Sequence, residues 1–242
     1  MSLTVLTPTW NTDIPLELMM RSMDLYHERL PWWVWEDGST DNTLDVIRGR
    51  ADRTFTGSND GFCVAVETMI PLVETSCVAV VESDVEFLGP ALTKMTRHLE
   101  EFEAFSVSAP WWGPSDHRRL DHSCVVFNTA KIKKVLECFS FLPFIQVFLN
   151  RQLYHDSGAF IRRAAEFSGW RCEEPDWIRK EVVHYGGLSR KAKGDTDPQI
   201  LSRWDSAQRR LEDIRKGVQN KDGLQWDEMV WYDGKPGWRV LN

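Results

Sequence analysis

Three acids stand two residues apart in Val81-Glu82-Ser83-Asp84-Val85-Glu86-Phe87, directly behind the apolar run Cys77-Val78-Ala79-Val80-Val81. On an extended chain this spacing puts all three carboxylates on one side. Like charges so placed repel unless solvent or a cation separates them, and an all-oxygen set suits a hard divalent ion such as Mg2+ or Mn2+. A solvated strand end is the plainer reading of an acidic triplet; the preceding buried run is what favours a cation. A second acidic pair, Glu36-Asp37, opens the stretch Trp35-Glu36-Asp37-Gly38-Ser39-Thr40-Asp41-Asn42-Thr43. Asp37-Gly38 has turn chemistry, and Ser39, Thr40 or Asp41 can cap a following helix. A carboxylate there can also accept a hydrogen bond from a base imide or a ribose hydroxyl. Asp156, in His155-Asp156-Ser157-Gly158, is either a helix cap or a general base, and Asp121-His122 is a rival acid/base pair. His184 closes an apolar run just before Tyr185-Gly186-Gly187; a lone histidine there is more often a surface or core residue than a ligand.

These groups need a scaffold that gathers strand ends. The first 90 residues alternate short apolar runs with helical periodicity, the pattern of β-α-β units on a parallel sheet. Strands are predicted at Leu3–Thr7, Trp32–Trp35, Arg53–Phe55 and Cys77–Val81. Helices are predicted over 14–28, around Leu44–Ile47 and over 61–73. The fold class expected is α/β, a mostly parallel central sheet flanked by helices, in which ligands bind beyond the carboxyl ends of the strands. After Pro90 the rhythm changes. Strands are expected over 104–109 and 123–127 around a Trp-, Gly- and Pro-rich loop, with a long helical region over 144–167. A last strand over 181–184 and a helix over 199–216 precede a Trp-bearing tail.

Composition narrows the partners. With 242 residues, 42% hydrophobic, the chain suits one domain with a sizeable core. A net charge of −7 and no long basic block argue against bulk nucleic-acid binding, which needs dense Lys and Arg. Five scattered cysteines, odd in number and without a C-x-x-C pair, point to reduced thiols and a cytoplasmic location. No secretory signal is read at the start of the chain. The most apolar window, 139–149, is broken by Ser140, Pro143 and Gln146 and is shorter than the roughly 20 residues a membrane span needs. It could still pack a homodimer or lie against a membrane surface. Twelve tryptophans are many for one chain, and several sit in loop-like contexts (Trp10, Trp111-Trp112, Trp170, Trp177), where flat rings suit sugars or bases.

Taken in order, these motifs resemble a GT-A-fold glycosyltransferase of the large family 2 group. Val5-Leu6-Thr7-Pro8-Thr9-Trp10-Asn11 is similar to that family's first strand and turn, and WEDGSTDNT to its V-D-D-G-S-T-D-x-T. Asn59-Asp60-Gly61 resembles the N-x-G that opens its third helix, and Glu82-Ser83-Asp84 falls where it carries D-x-D. His155-Asp156-Ser157-Gly158 resembles the segment that supplies the catalytic base, and His184-Tyr185-Gly186-Gly187-Leu188-Ser189-Arg190 its late histidine loop. The matches span about residues 3 to 190. Two departures stand out: the first acid is Glu, and the family's frequent Arg in the third-helix segment is replaced by Val64-Ala65-Val66-Glu67.

The resemblance implies a glycosyltransferase domain over 1–190, with 1–90 binding the nucleotide sugar and 91–190 carrying acceptor and base. Residues 191–242 would be an extension packed on it. It implies that Thr7, Pro8 and Thr9 line base and ribose through their backbone and that Asp37, helped by Glu36, holds the base. Asn59 and Ser83 belong to the same nucleotide-binding set. Asp84 and His184 would hold Mn2+ or Mg2+, with Glu82 on ribose or metal and Glu86 as the alternative metal partner. Arg190 or Lys191 would neutralise phosphate, and Asp156 would be the base for in-line attack with inversion. Trp111, Trp112 and Trp170 would help shape the acceptor site. The donor implied is a nucleoside-diphosphate sugar, by preference a UDP-sugar. The acceptor is a free hydroxyl on a glycan, small molecule, modified base or lipid-linked group. The reading from another class is a catalytically silent nucleotide- or sugar-binding protein. A sugar nucleotidyltransferase or a dinucleotide enzyme is disfavoured because no Gly-rich loop follows the first strand.

Overall fold

Residues 2–110, 120–148, 151–155, 157–188, 191, 194–217, 229–232 and 235–238 are described in the computed structural model. The chain begins with β1 (Leu3–Thr9), α1 (Asp13–Tyr26), β2 (Trp32–Glu36), α2 (Thr43–Ile47), β3 (Arg53–Thr56) and α3 (Phe62–Met69). It continues through β4 (Cys77–Val81), β5 (Val85–Phe87), α4 (Ala91–Glu101), β6 (Ser106–Ser108), β7 (Cys124–Asn128) and α5 (Thr129–Leu136). Then come β8 (Phe144–Phe148), β9 (Arg151–His155), α6 (Ala159–Phe167), β10 (Cys172–Glu173), β11 (Val182–His184), α7 (Pro198–Arg215), β12 (Met229–Tyr232) and β13 (Lys235–Trp238).

Seven strands form the central sheet in the order β10-β6-β7-β4-β1-β2-β3. All pairings are parallel except those that β7 makes with β4 and β6. Such a sheet needs both faces covered, and the strand residues divide accordingly. Leu3, Val5, Cys77, Ala79 and Val81 face α1 and α4 (Leu16, Met19, Met23, Leu92, Met95). Leu6, Val78 and Val80 face α3, α5 and α6 (Val66, Met69, Ile132, Ile161, Ala165). Every residue of β4 is fully buried, as its unbroken apolar run requires.

Three sequence expectations change. The chain does not stay extended through the acidic triplet: it turns at Ser83–Asp84, so Glu86 enters β5, which pairs antiparallel with β11. The 144–167 region is not one helix but the hairpin β8–β9 followed by α6. The physical reason is legible in Phe144-Ile145-Gln146-Val147-Phe148, whose β-branched and aromatic content suits a strand over a helix. Trp170 lies at the wrong end of the sheet for an acceptor wall. It stacks on Phe105, 5.8 Å between centroids, beside the start of β6, whereas the acid cluster lies beyond the end of β4. No helix among the described residues is long and apolar enough to cross a membrane.

The late helix α7 packs on α1 and β11 through Trp204, Ala207 and Leu211 against Leu18, Val183, Tyr185 and Leu188. A buried polar link lies within this contact. Arg210 donates from Nε and Nη2 to Glu86 Oε1 (3.1 and 2.9 Å), and Tyr185 donates its hydroxyl to Glu86 Oε2 (2.7 Å). Glu86 is only 1% exposed, so its charge depends on these partners. Arg210→Met, which keeps the volume and removes the cation, should cost about 3–5 kcal/mol in urea denaturation. Adding Glu86→Gln should recover part of that loss, because the buried charge is then gone.

Candidate functional site

Beyond the ends of β1, β2 and β4 lies a cavity of about 300 Å3. Pro8, Thr9 and Trp10 form its β1 side, Trp35 and Asp37 its β2 side, and Asn59, Gly61, Phe62 and Ala65 the entry to α3. Glu82, Ser83 and Asp84 come from the β4–β5 turn, His122 from the approach to β7, Ser157 from the approach to α6, and Gly187 from the loop after β11.

The nucleotide-facing side is held by cross-links between motifs. Asp37 Oδ1 accepts from the backbone N–H of Asp60 (2.8 Å) and from Trp35 Nε1 (3.3 Å), and Oδ2 accepts from Gly61 N–H (2.8 Å). One carboxylate thus ties the end of β2 to the loop that starts α3. The packing leaves no room for a side chain at Gly57: a Cβ there would overlap Asp37 Oδ1 and Trp35 Nε1. Asn11, at φ 49°, accepts at Oδ1 from Thr40 N–H (2.6 Å), and its own N–H donates to Ser39 Oγ (2.9 Å). Asp41 accepts at Oδ1 from Thr43 N–H, helping to start α2, and at Oδ2 from Asp13 N–H. The WEDGSTDNT stretch is therefore turn, helix start and clamp on the first loop together. Glu36 turns its Oε1 to Ser39 N–H (2.5 Å), and Thr7 Oγ1 accepts from Trp32 Nε1 (2.9 Å); neither lines the cavity.

Across the cavity sits the acid–histidine cluster. His184 Nε2 lies 3.1 Å from Glu82 Oε2 and 3.2 Å from Asp84 Oδ1. One donor atom from each of Glu82, Asp84 and His184 lies within 4.8 Å of the others, so the three can share one ion. Asp84 also accepts Leu188 N–H at Oδ2 (3.2 Å), and its carbonyl accepts Tyr185 N–H (3.0 Å), which fixes the late loop against the turn. Ser83 accepts a hydrogen bond from Thr12 Oγ1 (2.9 Å). Two carboxylates and one imidazole suit a divalent ion of borderline hardness. Glu86 does not join them, because the turn sends it into the Arg210–Tyr185 contact.

His122 was legible only as half of a pair with Asp121. The structure separates them: Asp121 Oδ1 accepts from Ser123 N–H and Oγ, whereas His122 Nδ1 lies 2.5 Å from Glu82 Oε1. Lys191 is not in the cavity wall; its Nζ lies 3.7 Å from the centroid of Trp204. Asp156, Arg190, Trp111 and Trp112 lie outside the described residues.

Comparison with known proteins gives the family and the fold. The family model described as "Glycosyl transferase family 2" matches residues 4–167. A mannosyltransferase from Pyrobaculum calidifontis, solved in complex with GDP-Man and Mn2+, has a similar fold. Its TM-score is 0.56 and its identity 16%, over 92% of this chain and 76% of that one. So does a glucosyl-3-phosphoglycerate synthase from Mycobacterium tuberculosis, solved with Mn2+, UDP and glucosyl-3-phosphoglycerate. Its TM-score is 0.52 and its identity 12%, over 99% and 87% of the two chains. At these identities the likeness is one of fold. No curated protein matches the sequence.

The cluster's charges lean on each other. Burial works against the charge on Glu82, but His122 and His184 outweigh it and hold the carboxyl well below its ordinary 4.5. Burial likewise works against His184, but Asp84 and Glu82 hold the imidazole well above its ordinary 6.5. In the cation-free protein this stabilisation is fully present between 4.5 and 6.5. It is lost on the acid side as Glu82 protonates and on the alkaline side as His184 loses its proton. A cation must displace that proton. The rise in Tm on adding saturating MgCl2 should therefore be larger at about pH 8 than at about pH 6. Equal rises in thermal melts at the two pH values would show that His184 is not the displaced site.

Proposed function

The chain belongs to glycosyl transferase family 2, and from that premise we propose that it is a cation-dependent transferase moving a sugar from a nucleoside-diphosphate donor to an acceptor hydroxyl. The observation that carries this reading is the facing of two built surfaces across one cavity, the Asp37-anchored loop and the Glu82–Asp84–His184 cluster. Glu82, Asp84 and His184 would hold Mn2+ or Mg2+. Bound there, the ion would neutralise the diphosphate as the leaving oxygen gains charge. No Lys or Arg is among the described residues lining the cavity, so little else of positive charge is at hand.

The backbone of Pro8 and Thr9, with Thr7 behind them, and the loop at Asn59 would bracket the nucleoside. Asp37 would shape the base site through the loop it anchors as well as by direct contact. Ser83 would act within the nucleotide set, and Arg190 and Lys191 would approach from the late loop. A uridine base is the preferred donor moiety. Asp156 is the proposed general base: a carboxylate is ionised at neutral pH and can take the proton as the attacking hydroxyl becomes acidic. Support for it is the family resemblance and the place of the next residue, Ser157, in the cavity wall. A single base of this kind implies inversion. The half over 91–190 would carry the acceptor, with residues 191–242 packed on it as an extension. No disulfide joins the five cysteines, which suits the reducing, cytoplasmic location proposed for the chain.

The test is donor turnover with UDP- and GDP-sugars, with Mn2+ and with excess EDTA. Donor cleavage is expected only with the cation, and Asp84→Asn should lower it by about a hundredfold or more. Cleavage that persists in EDTA and in Asp84→Asn would sink the cation-dependent reading. No cleavage of any nucleotide sugar, with binding intact, would favour the silent binder.

A further inference from the structure

The acid at position 82 is a glutamate where the family motif carries aspartate, and the structure shows what that extra length reaches. Its two oxygens are divided: Oε1 lies 2.5 Å from His122 Nδ1 and Oε2 lies 3.1 Å from His184 Nε2. An aspartate here would fall short by one carbon–carbon bond, about 1.5 Å, and could not span both partners from the same backbone. That backbone is fixed, since Glu82 N–H donates to Ser123 carbonyl (2.8 Å) just beyond the Val81–Cys124 pair of β4 and β7. The register therefore delivers His122 alongside Glu82, and Phe62 at the start of α3 packs on the imidazole, 4.6 Å between centroids. Glu82 is 23% and His122 14% exposed at the side chain, so the pair is largely shielded from water that would otherwise compete for it.

We infer that His122 is a positioning residue of the cation site: it holds Glu82 through Oε1 so that Oε2 is presented to the ion shared with Asp84 and His184. The inference rests on the proposed cation site and deepens it. A free glutamate has several rotamers, and ordering it on binding weakens affinity. The hydrogen bond from His122 orders it beforehand. Partners of metal-ligating side chains act in this way, and their loss typically weakens metal affinity about 10–100-fold. Glu82 and His122 form one functional unit, so the glutamate is not interchangeable with the family's aspartate in this chain.

The experiment is Mn2+ titration of the full chain by calorimetry, with unfolding midpoints in EDTA as a folding control. His122→Phe keeps a ring against Phe62 and removes the donor; it should weaken Mn2+ binding about 10–100-fold. His122→Asn loses the ring but can donate from its amide, and should stay within about threefold of the parent. A packing role would reverse that order. Glu82→Asp keeps the charge and shortens the arm; it should weaken binding by about tenfold or more, and it tests the same geometry if the Phe variant is unstable. Parental affinity in both His122→Phe and Glu82→Asp would overturn the inference while leaving the cation site standing. Failure of the parent protein to bind Mn2+ would remove the cation site itself, and this role for His122 with it.

Discussion

Asp84 and Glu86 are two residues apart and almost completely buried, at 6% and 1% exposure, and the architecture follows from how each charge is met. Removing a carboxylate from water costs several kcal/mol even after relaxation, and two such groups cannot share one small site unaided. The turn at Ser83–Asp84 separates them. Glu86 passes into β5 and is saturated by Arg210 and Tyr185, partners that nothing in the site would displace. Asp84 stays at the cavity, where its carboxylate is met by the N–H of Leu188 and by His184, whose proton a cation can replace. A buried carboxylate thus becomes a structural anchor on one side of the turn and a candidate ligand on the other. Tyr185 joins the two halves, since it bonds Glu86 through its hydroxyl and Asp84 through its N–H.

The sheet order does the remaining positioning. Because β1 lies between β2 and β4, the ends of three parallel strands open on one cavity, and the Asp37 loop and the acid cluster face each other across it. Asp37 takes three N–H donors, so its charge is spent largely on shaping the loop at 57–61. Asn11, in the left-handed region, hooks the β1 turn to Ser39 and Thr40. The side chain of Glu36, which sequence reasoning placed beside Asp37, serves the Gly38–Ser39 turn instead.

Local patterns were legible and distant partnerships were not. Apolar runs, turn residues and the spacing of acids gave the first four strands, their ends, and Glu82 and Asp84 as candidate ligands; His184 entered only through the family resemblance. Nothing within ten residues of Glu86 reveals that Arg210, 124 positions away, will neutralise it. The period-two argument failed there because it assumed an extended chain across a turn. His122 was paired with its neighbour Asp121 because adjacency is visible in a sequence, whereas its true partner Glu82 is set by the antiparallel register of β7 on β4. Phe144–Phe148 is a short apolar run, which periodicity alone does not assign to helix or strand. Trp170 looked like a loop aromatic; its stacking on Phe105 depends on β10 joining the sheet edge.

The missing basic residue in α3 bears on how the site meets an anion. Val66 is fully buried in the core, and Glu67 accepts hydrogen bonds from Ser140 Oγ and Phe141 N–H, so this helix is committed to packing. The described cavity wall then holds Asp37, Glu82 and Asp84, with His122 its one basic side chain, in a protein of net charge −7. Such a field repels a diphosphate before contact. A cation held by the cluster reverses the local sign where the phosphates would lie. In a site with Arg or Lys on the opposite wall, the ion would share that task. Among the described residues of this wall there is no Arg or Lys to share it, so under the proposed function an ordered first carboxylate would matter most.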